Sequence, residues 1–537
     1  MGRAGLVIAS GTMVSRVLGF ANLAVLNWAI GVDNPSASAF AIANTLPTTI
    51  FLLISGGLLS AVLVPQIVRA AAQDDGGSRF VSRLLTLAVL VFAVVTVIAT
   101  LSAPLLVQLN ASSGVDGQLG SAGFALAVGF AYWCLPQIFF YALYSLLGEV
   151  LNARGVFGPF TWVPAVNNVV AIAVSLTFVG VFGRTGHRQP STWDGGEIAL
   201  LAGGMTLGIV AQAVGLLLFW RRTGLRYRPD LRLRGVGLGG AGRAAGWTFG
   251  MIVVNQLAAI VQNQVLLVVA QGDASVRAAQ TAWLLFLLPH SVITMSIAAP
   301  YFTRMSAHAH AGDRAAVRAD LAESLRTVVA LVAGAAAALA AAAFPLAAAL
   351  APTVPEAISI GSVLLAYLVG LLPFSILFLV QRSFFALGDT RTPFFIQLLQ
   401  SGVFLVGALI AVQQPSALIA VGVALSTAVS ITVQLVVSLV LLRRPLGGLD
   451  GARIASRVGV LAVLTIPASG AGLLVAAALG GIPGVGDGFA LTTNAGSALV
   501  SAAAIGAASL LVYVGLLRVI RAPELTAALA AVRRRAP

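Results

Sequence analysis

The stretch LVIASGTMVSRVLGFANLAVLNWAI, Leu6–Ile30, holds one charged residue, Arg16, among apolar and small neighbours. About 20 apolar residues cross a bilayer as a helix, so the stretch predicts a spanning helix with a guanidinium inside it. A cation at bilayer centre costs from about 3 to well over 10 kcal/mol. Such a residue has to face an interior, a cavity or a partner rather than lipid. Thr12 lies one turn before Arg16, and Asn27 three turns after it near the same face, which draws a polar stripe along the helix. The plainer reading, an arginine paired with a backbone carbonyl or a headgroup, stays open at this point.

The rest of the chain has the same character. It is 537 residues long, 59% hydrophobic and 9% charged. A soluble domain needs more charge on its surface, and a β-barrel needs alternating apolar and polar positions that these segments lack. The sequence therefore predicts an all-α polytopic membrane protein. Fourteen spans are expected, at 5–30, 37–68, 80–109, 123–151, 157–183, 197–220, 244–271, 276–304, 322–350, 357–387, 393–413, 416–442, 455–480 and 495–517. The first stretch is long enough to span and has no small-residue cleavage site, so it is read as retained. The single cysteine, Cys134, permits no internal disulfide.

All 31 basic residues are arginine, and the net charge is +14. In a soluble protein this would point to nucleic acid. Here the arginines crowd into alternate loops: Arg69 to Arg83, Arg154, Arg221 to Arg243, Arg304 to Arg318, Arg391, Arg443 to Arg457, and the tail from Arg518. The intervening loops are acidic or nearly uncharged. The positive-inside rule then places both termini in the cytoplasm and makes anionic inner-leaflet lipids the partner of the basic loops, with no nucleic acid partner. Asp74, Asp75, Asp313 and Asp320 read as solvated loop residues, and His308 and His310 as part of a basic loop.

An internal duplication is visible. Leu135-Pro136, Asn152 and Arg154 recur as Leu372-Pro373, Asp389 and Arg391 at a constant spacing of 237 residues. Pro47 and Pro289 mark a second pair. Spans one to six and seven to twelve therefore read as two parallel six-helix repeats, with two further helices at the C-terminus. The expected divisions are an N-lobe at 1–221, a basic amphipathic linker at 222–243, a C-lobe at 244–443, and 444–537 with the last two spans and a basic tail. Pro47, Gly56, Pro136, Pro289 and Pro373 are the candidate hinges, since each proline removes a backbone hydrogen bond that a neighbour must replace.

No Walker A sequence, no metal-spaced Cys/His cluster and no Ser-His-acid pattern is found, so no metal, cofactor or catalytic group is expected. The chain reads as a transporter driven by a substrate, ion or voltage gradient, not as an enzyme. Polar residues inside spans supply candidate binding groups: Ser15, Arg16, Asn22 and Asn27 in span one, Asn44 in span two, and Asn255 and Gln256 in span seven, which carries Gln262, Asn263 and Gln264 as well. The same amides also serve to hold membrane helices together.

Several motifs together resemble the MurJ/MviN family: SRVLGF at 15–20, ANTLP at 43–47, LVPQIVRA at 63–70, LLGEVLNARG at 146–155 and QRSFFALGDTRTP at 381–393. The lysine-free style is similar to actinobacterial members. The resemblance implies a MOP-superfamily (MATE-like) exporter of the bacterial cytoplasmic membrane. It would flip lipid II, the undecaprenyl-diphosphate-linked peptidoglycan precursor, by alternating access, as a monomer, with the cell-wall synthesis machinery as a further partner. It also implies a cationic cavity. Ser15 and Arg16 match its first helix, whereas Asn22, Leu52 and Leu284 stand where well-studied members carry arginine, and Ser38 stands for an acid. Gln397 and Gln400 replace acids that bind sodium in some members. Two rival functions remain: export of another polyprenyl-linked saccharide, and drug/cation antiport. A scaffold that has lost transport is the non-transport alternative.

Overall fold

The computed structural model describes residues 3–55, 75, 77–112, 119–154, 156, 158–185, 189–230, 242–448, 451–484, 488–491 and 494–522. Among them there is no strand. Among the described residues thirteen helices are long and apolar enough to cross a membrane, or fourteen when the one bent pair is counted as a span. Helix is the form that satisfies every backbone N–H and C=O within one segment, which hydrocarbon demands.

The chain forms two compact units, Met1–Gly272 and Asp273–Pro537. In the first, α1 (Arg3–Ile30) lies along α7 (Gly158–Phe182). Helix α2 (Pro35–Ser55) packs on α5 (Gly120–Cys134) and α6 (Gln137–Ala153). Helix α3 (Ser78–Leu101) breaks at Ser102 and resumes as α4 (Ala103–Ala111). Helix α8 (Gly204–Leu217), reached through a π-helical turn at Ala199–Gly203, packs on α6 and α7. The seventh span, α9 (Gly242–Leu266), packs on α2 and α4. Trp193, in the loop after α7, stacks on Phe178 and meets the edge of Phe130. Its indole N–H donates to Ser36 Oγ at 3.1 Å.

In the second unit, α10 (Val276–Pro289) passes through a π-helical turn at His290–Thr294 into α11 (Met295–His310). Helix α12 (Arg314–Ala341) is followed by the short α13 (Ala343–Ala348). Helices α14 (Val354–Leu368) and α15 (Leu371–Ala386) form the pair bent by 48°. Then come α16 (Arg391–Ala411), α17 (Ser416–Leu442), α18 (Gly451–Val463), α19 (Thr465–Ala478) and α20 (Ala495–Val519). Helix α12 is the hub, touching α11, α15, α19 and α20.

The expected hinges fall into different local forms. Pro47 is carried inside α2 without a break. Pro136 ends one helix and caps the next. Pro289 is followed at once by the π-helical turn, where the missing N–H leaves the ladder free to slip by one residue. Pro373 lies in the first turn of α15, where its lost N–H has no helical partner to miss; the bend is at Val369–Gly370. Gly56 lies outside the described residues.

Two expectations about the loops change, those for His308 with His310 and for Asp320. His308 and His310 belong to α11. Asp313 stays an exposed loop residue, accepts from Ala316 N at 2.9 Å and caps α12. Asp320 is on α12, nearly buried, and paired with Arg304 at 2.9 Å. Asp75 accepts the backbone N–H groups of Arg79 and Gly77 at the start of α3, which holds its carboxyl below the usual carboxylate range. Of the segment 222–243, expected as a basic amphipathic linker, residues 231–241 lie outside the described ones. After a 3-10 turn at Trp220–Thr223 and a left-handed Gly224, the backbone runs to Asp230 without helix or strand. Its charge alternates with a period of two, and Pro229 blocks a helix.

Close packing joins the last helices to the hub. A Cβ at Gly334 of α12 would meet Tyr513 Cδ1 at 2.8 Å, and the Tyr513 hydroxyl donates to Ala330 O at 3.0 Å one turn away. Gly334→Val is expected to force α20 off α12 and to cost about 1–3 kcal/mol. Tyr513→Phe is expected to cost only about 0.6–1 kcal/mol, the scale of one interhelical bond in a membrane. Thermal midpoints of the purified full chain in detergent check both, with the glycine variant expected to be the less stable.

Candidate functional site

Helix α1 meets α7 through a stripe of small residues. Gly11, Ser15 and Gly19 recur every four positions, the small-xxx-small spacing that lets two membrane helices approach closely. At Gly11 a Cβ would stand 2.7 Å from Trp162 Cδ1, so the indole lies directly on the backbone of α1. Asn168 stands 3.7 Å from the corresponding point at Gly19, and its Nδ2 donates to Ser15 O at 3.0 Å. Ser15 therefore lies in the seam. Arg16 is the next residue around the helix and is half-buried.

The other candidates of α1 are spread along it. Asn22 is half-buried, and its enclosed Oδ1 has no hydrogen-bond partner. Asn27 is fully buried about 16 Å along the axis from Arg16, in the turn that ends the helix at Gly31. The structure therefore separates Asn27 from Arg16. Beyond it, Arg184 Nε donates to Trp28 O at 3.1 Å and Thr185 N to Ala29 O at 2.9 Å, which fastens the end of α1 to the segment after α7.

Asn44 is half-buried on α2, three residues before Pro47. On α9, Asn255 is exposed and Gln256 half-buried. Gln264 Nε2 donates to Leu109 O at 2.8 Å and to Ser112 Oγ at 2.9 Å, and Asn263 bonds Asn110, so these amides tie α9 to the end of α4. Helices α1 and α9 each pack on different neighbours.

Two further polar groups stand out in the second unit, one buried and one half-buried. His290 is 4% exposed, holds Ser375 Oγ at 3.1 Å through Nδ1, and lies 4.4 Å from the centre of the Phe374 ring. Arg382 rests over the faces of Phe378 and Phe302. Gln397 and Gln400 join a chain of amides across α16 and α17. Gln434 donates to Gln397 Oε1 at 3.0 Å, Gln397 to Gln400 Oε1 at 2.8 Å, and Gln400 to Ser430 Oγ at 2.8 Å. Among the described residues no group of three His, Cys, Asp or Glu side chains could hold a metal ion.

A family model described as lipid II flippase MurJ matches residues 27–485. The chain belongs to the MurJ family. It is 24% identical over 411 residues to a probable lipid II flippase MurJ of Rhizobium tropici, covering 72% of this chain and 71% of that protein. Over 234 residues it is 27% identical to a probable lipid II flippase MurJ of Vibrio cholerae, covering 42% of each. Its fold is similar to a lipid II flippase MurJ solved in an inward closed conformation, with a TM-score of 0.73 at 17% identity over 96% of this chain and 99% of that one. A multidrug resistance MATE transporter of the MOP superfamily in an inward-facing conformation follows, with a TM-score of 0.58 at 15% identity over 80% and 94%.

The MurJ match begins at Asn27, so Ser15, Arg16 and Asn22 precede it and rest on their own geometry. Of the residues that seat α1, sequence reasoning missed Trp162 and saw Asn168 only as an amide inside the fifth span, without its partner. The signal was the Gly11, Ser15, Gly19 stripe, which predicts a close partner without naming it. Replacing Asn168 by Leu removes the bond from α7 to Ser15 O and leaves that carbonyl only its partner within α1. Backbone amides in the segment Thr12–Phe20 are then expected to exchange hydrogen faster in the full chain, while those of α12 stay unchanged. Hydrogen-exchange mass spectrometry reads both.

Proposed function

We propose that this chain flips lipid II from the inner to the outer leaflet of the bacterial cytoplasmic membrane by alternating access, driven by membrane potential or an ion gradient, with both termini cytoplasmic. The observation that carries the reading is membership of the MurJ family over residues 27–485. The placement of Arg16 supports it. A diphosphate leaving water needs charge-assisted donors, and a guanidinium presents a planar fork that fits two phosphate oxygens. Arg16 stands half-buried on a helix whose seam residues fix its rotation. The unsatisfied Oδ1 of Asn22, two turns on, is an acceptor for a sugar or peptide N–H or O–H. Asn44 and Gln256 are further hydrogen-bonding groups on α2 and α9. The helix break at Pro136, the π-helical turn after Pro289 and the 48° bend at Val369–Gly370 are the weak points from which alternating access would draw its changes of helix direction. Anionic phospholipids of the inner leaflet are the partners of the basic loops, and the protein works as a monomer beside the cell-wall synthesis machinery.

Depleting the protein in its host is expected to reduce labelled lipid II in the outer leaflet. Undiminished labelling refutes the substrate. Losing Arg16, a charged hydrogen-bonding group of about 1.5–3 kcal/mol, is expected to lower flipping roughly tenfold or more. Arg16→Ala should therefore fail to complement depletion at wild-type membrane abundance, and Arg16→Lys should restore part of the activity. Full complementation by Arg16→Ala removes the guanidinium from the mechanism.

A further inference from the structure

The π-helical turn His290–Thr294 lies midway along the span Val276–His310 and puts an imidazole at membrane depth. The other π-helical turn, Ala199–Gly203, holds only apolar and small side chains, so the backbone form does not itself call for a histidine. His290 is enclosed by Phe374, with ring centres 4.4 Å apart, and by Phe378, edge-on at 5.2 Å. Its Nδ1 stands 3.1 Å from Ser375 Oγ, and among the described residues neither side chain makes another hydrogen bond. Ser375 is fully buried, so its hydroxyl hydrogen has to find an acceptor inside the protein. A helical serine ordinarily gives that hydrogen to a carbonyl three or four residues back. About two turns further along α15, Ser383 does so, donating to Leu379 O at 3.2 Å. Ser375 makes no such bond, which leaves Nδ1 of His290 as its acceptor. The ring is then assigned as the neutral tautomer with its hydrogen on Nε2.

This bond joins the two places where the second unit leaves straight helix. His290 opens the turn after Pro289, and Ser375 lies in the second turn of α15, just past the 48° bend at Val369–Gly370. A proton added to the ring has to enter at Nδ1, the nitrogen that carries the lone pair. The imidazolium then donates from both nitrogens and accepts at neither. Ser375 must turn from donor to acceptor on that side, and its hydrogen passes to the carbonyl of Leu371, four residues back. Back-bonding of this kind weakens and bends a helix. The cation keeps the rings of Phe374 and Phe378 as partners. Helices α10, α11, α12 and α15 pack against the turn. The one charge of α10, Arg277, is at its far end, α11 has no titratable group before Tyr301, and α12 has none after Arg326. The acids of α12, Asp320 and Glu323, are held by Arg304. Helix α15 brings Arg382 alone, whose guanidinium lies over Phe378. An added proton therefore belongs to the imidazole and is shared with no carboxylate.

We propose that His290 is the proton-binding residue through which this transporter is coupled to a proton gradient. One proton on Nδ1 reverses the bond to Ser375 and moves the π-helical turn and the bent start of α15 together. The role in transport rests on the reading that membrane potential or an ion gradient drives the chain; the switch itself is a property of the second unit.

The test is hydrogen-exchange mass spectrometry of the purified full chain at about pH 8 and about pH 5, which bracket the range where imidazoles ordinarily titrate. Each rate is corrected for the chemical effect of pH. Backbone amides of 290–294 and of 371–376 are expected to exchange about fivefold faster at the lower pH, the scale of one lost hydrogen bond, while those of α20 stay unchanged. In H290Q, whose amide offers Ser375 an acceptor but takes up no proton, both segments should be indifferent to pH. In S375A the turn should keep its response and 371–376 should lose it. S375A deletes a single hydroxyl and decides the matter if thermal midpoints show H290Q unfolded. A response equal in wild type and H290Q overturns the proposal, and so does a wild type without response. Survival of the response at 371–376 in S375A does the same. In vesicles carrying the chain, a pH gradient should speed lipid II flipping by the wild type and leave H290Q at its rate without a gradient. Wild-type flipping blind to the gradient overturns the coupling. No flipping at all, with the exchange response intact, refutes the substrate and leaves the switch standing.

Discussion

A polar group at membrane depth has no water to turn to, and the architecture of this chain follows from where that debt is settled. The sharpest instance is the guanidinium of Arg16. A helix rotates freely about its axis in lipid unless something fixes it. The seam with α7 prevents this. Trp162 lies on Gly11, Asn168 lies beside Gly19 and bonds the Ser15 carbonyl, and any rotation would lift these groups apart. Small residues contribute here because lipid tails are as apolar as leucine. Helix association then depends on close van der Waals contact and interhelical hydrogen bonds. Arg16 is positioned by its neighbours at 11, 15 and 19.

The same constraint governs the second unit. After Pro289, where a span departs from α-helix, polar side chains stand near the change. The π-helical turn after Pro289 presents His290 to Ser375, within an aromatic enclosure of Phe374 and Phe378. Helices α16 and α17 are joined by a relay in which each amide donates to the next, ending on Ser430, whose hydroxyl donates to Thr427 O. An acid in that position would need a cation to be held at this depth. A glutamine brings its own donor and acceptor, so the pair of helices is joined without one.

The spans were legible because each is longer than the bilayer is thick and apolar on all sides; in that regime composition is enough. The loops were not, because their structure depends on partners far away in the chain. Asp320 reads as a solvated acid next to its neighbours and becomes buried only because Arg304 returns to it from the preceding helix. The seat of the segment Gly224–Asp230 on α3 was hidden for the same reason. RYRPD has no helical period, and the residues that bind it, Ser82, Arg83 and Thr86, precede it by more than a hundred positions. Of the candidate site, the half-buried Arg16 and the polar character of α1 were visible. That Ser15 belongs to the seam, and that Asn27 belongs to the end of the helix, required knowing which helix lies alongside. Prolines mark where a bend is permitted, and at Val369–Gly370 the bend occurs a few residues before the proline that signalled it.

The absence of lysine also acquires a physical sense from the contacts. A guanidinium can pair with a carboxylate and lie flat on a ring, and this chain uses both. Arg184 covers Trp28, Arg222 covers Phe219, Arg382 lies between two phenylalanines, and Arg304 covers Tyr301 while holding Asp320. An ammonium is more strongly hydrated and has no flat face, so it would give up more on leaving water and gain less on the ring. At the ends of spans, where aromatic side chains gather and water thins out, arginine keeps its charge and still packs. The composition that suggests nucleic acid at first sight is the composition of a chain whose cations are required to work at the edge of hydrocarbon.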